Sequence, residues 1–431
     1  MNADELFSNL MRGCQGQFTA IRSITKLQPA GGAGDKVFPP TYADATYAFE
    51  TRMIDGNKVE TVLLDSVQSQ ANRFEEVLLD AYRSGGLALP MFEMNISGHE
   101  PMTSLTVPHR VHDAIFRDSL WGGTPFRESE DGRRLVAARA WSAAPFFEFA
   151  PTVLLLGTWD SQSGGGVNSA KVARSLVSEI IAIDAVRGVR TSSRIDPLGI
   201  KLVRDVVMKT EDSEVWRFVE PSGDKKVKKG EGKMVKPSEI NHGNIAPSIT
   251  DSEKGAGGVT FREAVQTTVL SFTQLRKLRF PDASGASTVE RDAAGRAVIA
   301  ALGLYAVALQ QEGGYQLRSR CQLVPVEAPQ FELIGRKQAK EGERALFDLD
   351  STNAFAALQA AIEAAAGHGL RWQAGRIELR PRPDLVRLGT ERPHDRGCGG
   401  RVTDVRARGG VSVGTVLRGR FSRPFRAGVA A

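Results

Sequence analysis

From Asp292 to Gln311 the chain is rich in alanine and leucine, and Gly313 and Gly314 end that run. Directly behind it Tyr315, Leu317, Ser319, Cys321 and Leu323 alternate with Gln316, Arg318, Arg320 and Gln322. The period thus passes from helical to two, as in a helix that hands straight over to a strand with one polar, basic side. Such helix-to-strand junctions recur along the chain and point to an α/β or α+β core.

A first strand is expected over Gln17 to Gln28, where Phe18, Ala20, Ile21 and Ile24 supply apolar positions. It runs into PAGGAGDKVFPPTYADA, whose glycines and paired prolines forbid regular structure. The apolar run Val59 to Leu64 precedes a helix over Ser66 to about Tyr82, with Asp65 as N-cap and Gln68 placed to close a capping-box-like pair. Val67, Ala71, Phe74, Leu78 and Ala81 share one face of it, and Ser66, Ser69, Gln70 and Arg73 a flank of the other side. Residues 85–150 read as an insertion of short strands and loops. Thr152 to Gly157 reads as a buried strand, and Asn168 to Ala185 as a helix with Val172, Leu176, Ile180 and Ile183 inward and Lys171, Arg174 and Ser178 outward. A polar excursion over 211–258, a strand at Thr268 to Ser271, a helix near Thr352 to Ala366 and a strand at Arg376 to Arg380 complete the order. Strand 17–28, helix 66–82, strands in the middle, helix 292–311 and strand 315–324 are compatible with a ferredoxin-like or RNA-recognition-motif-like sheet.

A chain of 431 residues can bury a sizeable core. No window approaches the roughly 18 uninterrupted apolar residues of a membrane helix, and MNADELFSNLMRG lacks the features of a signal peptide, so the expected compartment is the cytoplasm. Cys14, Cys321 and Cys398 are too few and too scattered for a disulfide framework or a CxxC metal site. The formal net charge of +6 belongs to the segment Gly389 to Ala431, where nine arginines stand against Glu391, Asp395 and Asp404. Residues 1–388 are net neutral, so any anion site there must be local.

Several segments invite chemical readings. LLLGTWDSQSGGGVNSAK can offer main-chain amides to a phosphate, yet it is neither GxxxxGK[ST] nor GxGxxG; most such connectors are plain turns. His109 and His112, with His99 and Asp113 nearby, lack a clear fourth ligand, and no metal site is expected. Asp35 is the most catalytic-looking carboxylate, though a turn aspartate is the simpler reading. No GxSxG, HExxH or paired Cys/His constellation is present, and no cofactor is expected. Arg190, Thr191, Ser192, Ser193 and Arg194 pack guanidinium and hydroxyl groups suited to phosphate and 2′-hydroxyl contacts; a hydroxyl-rich loop with a local Arg194–Asp196 pair is the even alternative. The lysines at 225–229 and the arginine-rich tail are most simply a solvated loop and a disordered extension.

Taken together, KLQPAGGAGDKVFPPTY, VLLDSVQSQANRFEE, KVARSLVSEI, VRTSSRIDPLGI, PSEINHGNIAPS, QTTVLSF and GYQLRSRC resemble one family, the RAMP-superfamily backbone subunit (the seventh Cas family) of the type I-U, now I-G, CRISPR system. The resemblance covers roughly residues 15–388 and implies one RAMP-type domain: an RNA-recognition-motif-like α+β palm with inserted finger and thumb elements near 85–150 and 211–258. It implies a non-enzymatic subunit that stacks in copies along a CRISPR RNA and presents the spacer to target DNA. The partners implied are a large subunit, a fused processing and end-capping subunit and a recruited helicase-nuclease, with no membrane. The RNA contacts implied are Lys36, Ser66, Gln68, Ser69, Gln70, Asn72, Arg73, Lys171, Arg174, Arg190, Ser192, Ser193, Arg194, Arg318 and Arg320. The alternatives are a guide-directed ribonuclease using Asp35, as in the type III relatives, and a metabolic protein with a phosphate loop at 157–166.

Overall fold

Ile21, Ser23, Thr25 and Leu27 are buried on alternate positions of a strand, and two further strands repeat that pattern beside it. In this computed structural model the described residues are 1–43, 46–160, 171–198, 207–209, 216–218, 233–235, 239, 242–250, 257–335, 345–373 and 375–390. The chain divides into two compact units, Met1–Val386 and Arg387–Ala431. The first is mixed α+β with a curled antiparallel half-barrel sheet. The strands are β1 (Ala20–Pro29), β2 (Phe49–Ile54), β3 (Asn57–Asp65), β4 (Leu176–Ile183), β5 (Glu263–Ser271), β6 (Tyr315–Arg318), β7 (Cys321–Pro325), β8 (Phe331–Ile334) and β9 (Leu346–Phe347). Their order is β6-β7-β1-β5-β4-β3-β2, with β8 on the other end of β1 and β9 beside β8.

The covered face of the sheet is apolar at both ends and polar between. Ile21, Leu176 and Leu270 lie in one apolar cluster; Leu27, Ile180, Ala182 and Ala264 lie in a second. Between them sit Ser23, Thr25, Ser178, Gln266 and Thr268, each at most 3% exposed. Buried polar groups are tolerable only when bonded, and these are. Gln266 Nε2 donates to Gln70 Oε1 at 2.9 Å and to Gln310 Oε1 at 3.1 Å, while Tyr315 Oη donates to Gln266 Oε1 at 2.8 Å. Ser178 Oγ reaches Gln70 Oε1 and Thr268 Oγ1, both at 2.9 Å.

The four longest helices among the described residues are α1 (Ala3–Gln15), α2 (Val67–Arg83), α3 (Val289–Gly313) and α4 (Ser351–Gly367). α3 is long and apolar enough to span a membrane by composition, but its apolar window is 94% buried in the fold; apolar on all sides, it is the central core helix. α1 begins at Asn2, whose side chain accepts the Glu5 N–H at 2.9 Å, and ends at Gly16 with φ +111°.

Four expectations are corrected. Leu176 to Ile183 is a strand, and the expected helix 168–185 does not form there. Positions 172, 176 and 180 satisfy both a helical and a two-residue period, and the β-branched Val177, Ile180, Ile181 and Ile183 decide for the strand. Conversely Thr152–Leu156 is a short, wholly buried helix and not a strand, because a continuous apolar run carries no period. The expected strand 315–324 is the hairpin β6–β7, turned at Ser319 and Arg320, with Arg320 at φ +57°. Alternation survives because Tyr315 faces Leu323 across the hairpin. Asp65 does not cap α2: Ser66 does, accepting the Ser69 N–H at 3.2 Å.

Residues 85–150 carry the expected short strands, which join a five-stranded sheet, and also two helices that were not expected, Glu130–Ala137 and Ala144–Phe149. Arg376–Pro381 completes that sheet, pairing in parallel with Met91–Met94 and antiparallel with Ser119–Trp121. Within the excursion 211–258, the described strands Trp216–Phe218 and Lys233–Val235 flank Val207–Lys209, and Ile245–Thr250 pairs with Arg190–Arg194.

Candidate nucleic-acid interface

The cations Arg22, Lys26 and Arg52 of the central sheet are each matched by a carboxylate. Arg22 meets Glu332 at 2.6 Å, Lys26 meets Glu263 at 3.8 Å and Arg52 meets Glu179 at 2.8 Å. A phosphate arriving there would have to displace carboxylates.

Uncompensated cations gather at the loop end of the sheet, where three distant segments cross. Val37 bridges Val259, and Val259 pairs with Arg187. The crossing needs glycine: a Cβ at Gly257 would lie 1.9 Å from the Gly188 carbonyl oxygen, and Gly258 adopts φ +77° against the Val37 carbonyl. The Gly258 N–H donates to Tyr47 Oη at 3.0 Å, and Lys36 Nζ donates to the Val189 carbonyl at 3.2 Å. From the hairpin turn, Arg320 lays its guanidinium 4.4 Å from the Phe38 ring centroid while its carbonyl accepts the Phe38 N–H at 3.0 Å.

The result is a cleft of about 530 Å³ that includes Lys36, Phe38, Tyr47, Arg190 and Arg320 in its lining and, among the described residues, no carboxylate. Among the described residues none of its three cations makes an ion pair. Like charges converging in a recess attract an anionic chain, and aromatic rings beside them offer a stacking surface. Three of the expected RNA contacts, Lys36, Arg190 and Arg320, are therefore brought together from three parts of the sequence.

The helix expected to grip phosphates does something else with most of its polar residues. Gln70 is fully buried, which removes it from any surface contact. Its Nε2 donates to Asp65 Oδ2 at 2.6 Å, and Ser69 Oγ donates to Asp65 Oδ1 at 2.8 Å. Arg73 Nε donates to the same carboxylate at 2.8 Å and its Nη2 to the Leu317 carbonyl at 2.6 Å; Arg318 Nη2 approaches Asp65 Oδ1 at 3.3 Å. Arg73 and Arg318 are thus committed inward. Ser66 is the helix cap, and Gln68 and Asn72 are exposed.

Lys171 and Arg174 line a separate recess with Arg110 and Trp159. Ser192 Oγ lies 2.8 Å from Ser248 Oγ, Ser193 is exposed and Arg194 Nε donates to the Gly243 carbonyl at 3.1 Å. The local Arg194–Asp196 pair does not form. Asp196 instead accepts the Gly243 and Leu198 N–H groups at 2.8 Å each, and the Gly243 amide, foremost, holds its carboxyl below the usual range. Asp35 is exposed and accepts the Lys36 N–H at 2.9 Å, a turn-type bond. Among the described residues no acidic, histidine and cysteine group could hold a metal. His112 is half-buried, its Nδ1 2.8 Å from Thr158 Oγ1. The glycine loop at 161–166, the lysines at 225–229 and the tail from 391 lie outside the described residues.

Phe38, Tyr47 and the glycines at 188, 257 and 258 escape a reading of the sequence that treats the Pro-Gly loop only as a break. The signal available is FPPTY, which begins two residues after Lys36 and contains Phe38 but whose tyrosine is Tyr42; Tyr47 lies five residues further on.

Residues 21–187 match the family model described as CRISPR-associated protein GSU0053 (Cas_GSU0053). The matched stretch contains Lys36, Phe38 and Tyr47 and ends short of Arg190 and Arg320. No curated protein matches the chain.

Proposed function

We propose, from the match of residues 21–187 to the family model described as CRISPR-associated protein GSU0053, that the chain is a guide-RNA-binding backbone subunit of a type I-G CRISPR surveillance complex. One observation carries the reading: the cleft in which Lys36, Arg190 and Arg320 converge beside Phe38 and Tyr47, with no carboxylate among the described residues of its lining. Its charge suits the phosphates of a single strand and its rings suit bases, with no demand on sequence.

The order β1-α2-β4-β5-α3-β7 along the chain, with β7-β1-β5-β4 adjacent in the sheet, supports an RNA-recognition-motif-like palm. The hairpin of Arg190–Arg194 with Ile245–Thr250 is then the base of the inserted finger or thumb. Under this reading the protein acts in the cytoplasm, stacks in copies along CRISPR RNA and presents the spacer to target DNA. It works with the large subunit, the fused processing and end-capping subunit and the helicase-nuclease, and it has no catalytic residue of its own.

The test is to purify the protein from cells carrying its CRISPR array and sequence the RNA that comes with it. Repeat-derived guides are expected, and their yield should drop at least tenfold in a Lys36→Glu, Arg320→Glu double variant that folds normally. RNA of random origin, unaffected by the double variant, overturns the reading. Incubating the complex with complementary RNA and magnesium tests the ribonuclease alternative; evenly spaced cuts lost in Asp35→Ala would establish it.

A further inference from the structure

The recess formed by the turn around Arg110 and the strand pair Thr158–Trp159 and Lys171–Val172 is built at some cost to the fold. Arg110 sits at φ +52°, a left-handed conformation rare for a side-chain-bearing residue. What holds it there is a buried forked pair: its Nε and Nη2 donate to the two Glu75 oxygens at 2.6 and 2.8 Å, with Glu75 only 3% exposed. Its Nη1 reaches the Gly157 carbonyl at 3.3 Å.

Arg174 stands beside this pair with Nε on the Leu156 carbonyl at 3.1 Å, and its terminal nitrogens make no bond among the described residues. Two guanidiniums therefore share one carboxylate. Burial first, and the Arg110 charge second, hold the Arg174 value down, as expected of a cluster one negative charge short. Lys171 adds a third cation at the rim. Leu156 and Val172 floor the recess, and Trp159, 61% exposed, stands at its edge. The volume of about 350 Å³ falls at the small end of ligand sites.

The geometry points to a single-nucleotide pocket, in which Trp159 stacks one base of a nucleic-acid strand and Arg174 and Lys171 take its phosphate, while Arg110 and Glu75 position Arg174. It rests on the nucleic-acid reading but is separate from the Lys36 cleft, so the two can fail independently.

The test uses the full chain and a 20-nucleotide oligouridine RNA carrying 5-bromouridine. Ultraviolet cross-linking is expected to mark the peptide containing Trp159. Trp159→Ala should weaken binding about tenfold and Trp159→Phe much less, since a stacked base needs an aromatic face. Arg174→Gln should lower the slope of log affinity against log salt by about 0.7. Wild-type affinity and slope in well-folded Trp159→Ala and Arg174→Gln variants would overturn the pocket, leaving the cleft untouched. Loss of binding there, with full binding by Lys36→Glu, Arg320→Glu, keeps the pocket and removes the cleft. UMP binding as tightly as the 20-mer would overturn the strand assignment in favour of a free nucleotide.

Discussion

Arg73 and Asp65 are locked together inside the protein: Nε lies 2.8 Å from Oδ2 of a carboxylate with no exposed surface, and the same guanidinium goes on to the carbonyl of Leu317. The first turn of α2 is thereby tied to the hairpin β6–β7, and it is this hairpin that carries Arg320 into the cleft. Arg73 supports the cleft from behind.

Arg73→Ala should accordingly cost stability, about 3–5 kcal/mol, because it strands a buried carboxylate. Chemical denaturation with a folded-state probe reads this directly. Any loss of RNA affinity should come without a change in salt slope, since no phosphate contact is removed.

Arg320→Ala and Lys36→Ala should behave in the opposite way. Stability should move by less than about 0.5 kcal/mol, as for surface substitutions, while each lost phosphate contact lowers the salt slope on single-stranded RNA by about 0.7. Titrations at several salt concentrations separate these variants from Arg73→Ala.

Gly257→Ala introduces a methyl group where the Gly188 carbonyl already stands, so the crossing behind Lys36 must open. A destabilisation of about 1–3 kcal/mol is expected. A loss of RNA affinity should accompany it even though no charge has changed. Gly313→Ala, at an exposed helix end where nothing crowds the new group, should leave affinity unaltered.

His112 makes a pH prediction. Burial, opposed by the Asp160 charge, lowers its value from 6.5 to about 4. The unfolded chain binds the proton first, so the full stability present above pH 6.5 declines as pH falls toward 4 and then levels off, with a slope of at most about 1.4 kcal/mol per pH unit. Replacing His112 with Asn should flatten this stretch of the stability profile; an unchanged slope would remove His112 as its source.

The order of elements was largely legible because long periodic runs declare themselves: α2, α3 and α4 stand within a few residues of where their spacing puts them. Short apolar runs do not. Thr152–Leu156 and Leu176–Ile183 exchanged types because five to eight apolar residues fit either period until tertiary packing chooses. The cleft was half legible. Lys36, Arg190 and Arg320 are readable as basic residues near hydroxyls or glycines, but their convergence depends on a crossing of chain segments far apart in the sequence. Arg73 and Gln70 show the reverse case: a face of Ser, Gln and Arg looks the same whether it meets water, RNA or a buried aspartate.

The hydrogen-bonded band across the covered face has a consequence for how the sheet assembles. A slip of one residue between strands turns every side chain to the wrong side and is self-correcting, but a slip of two keeps apolar groups inward. Here such a slip would move Ser178 from Thr268 toward Leu270 or Gln266. Serine opposite leucine strands a hydroxyl in an apolar setting, so the band acts as a key that only one pairing of the central strands can turn.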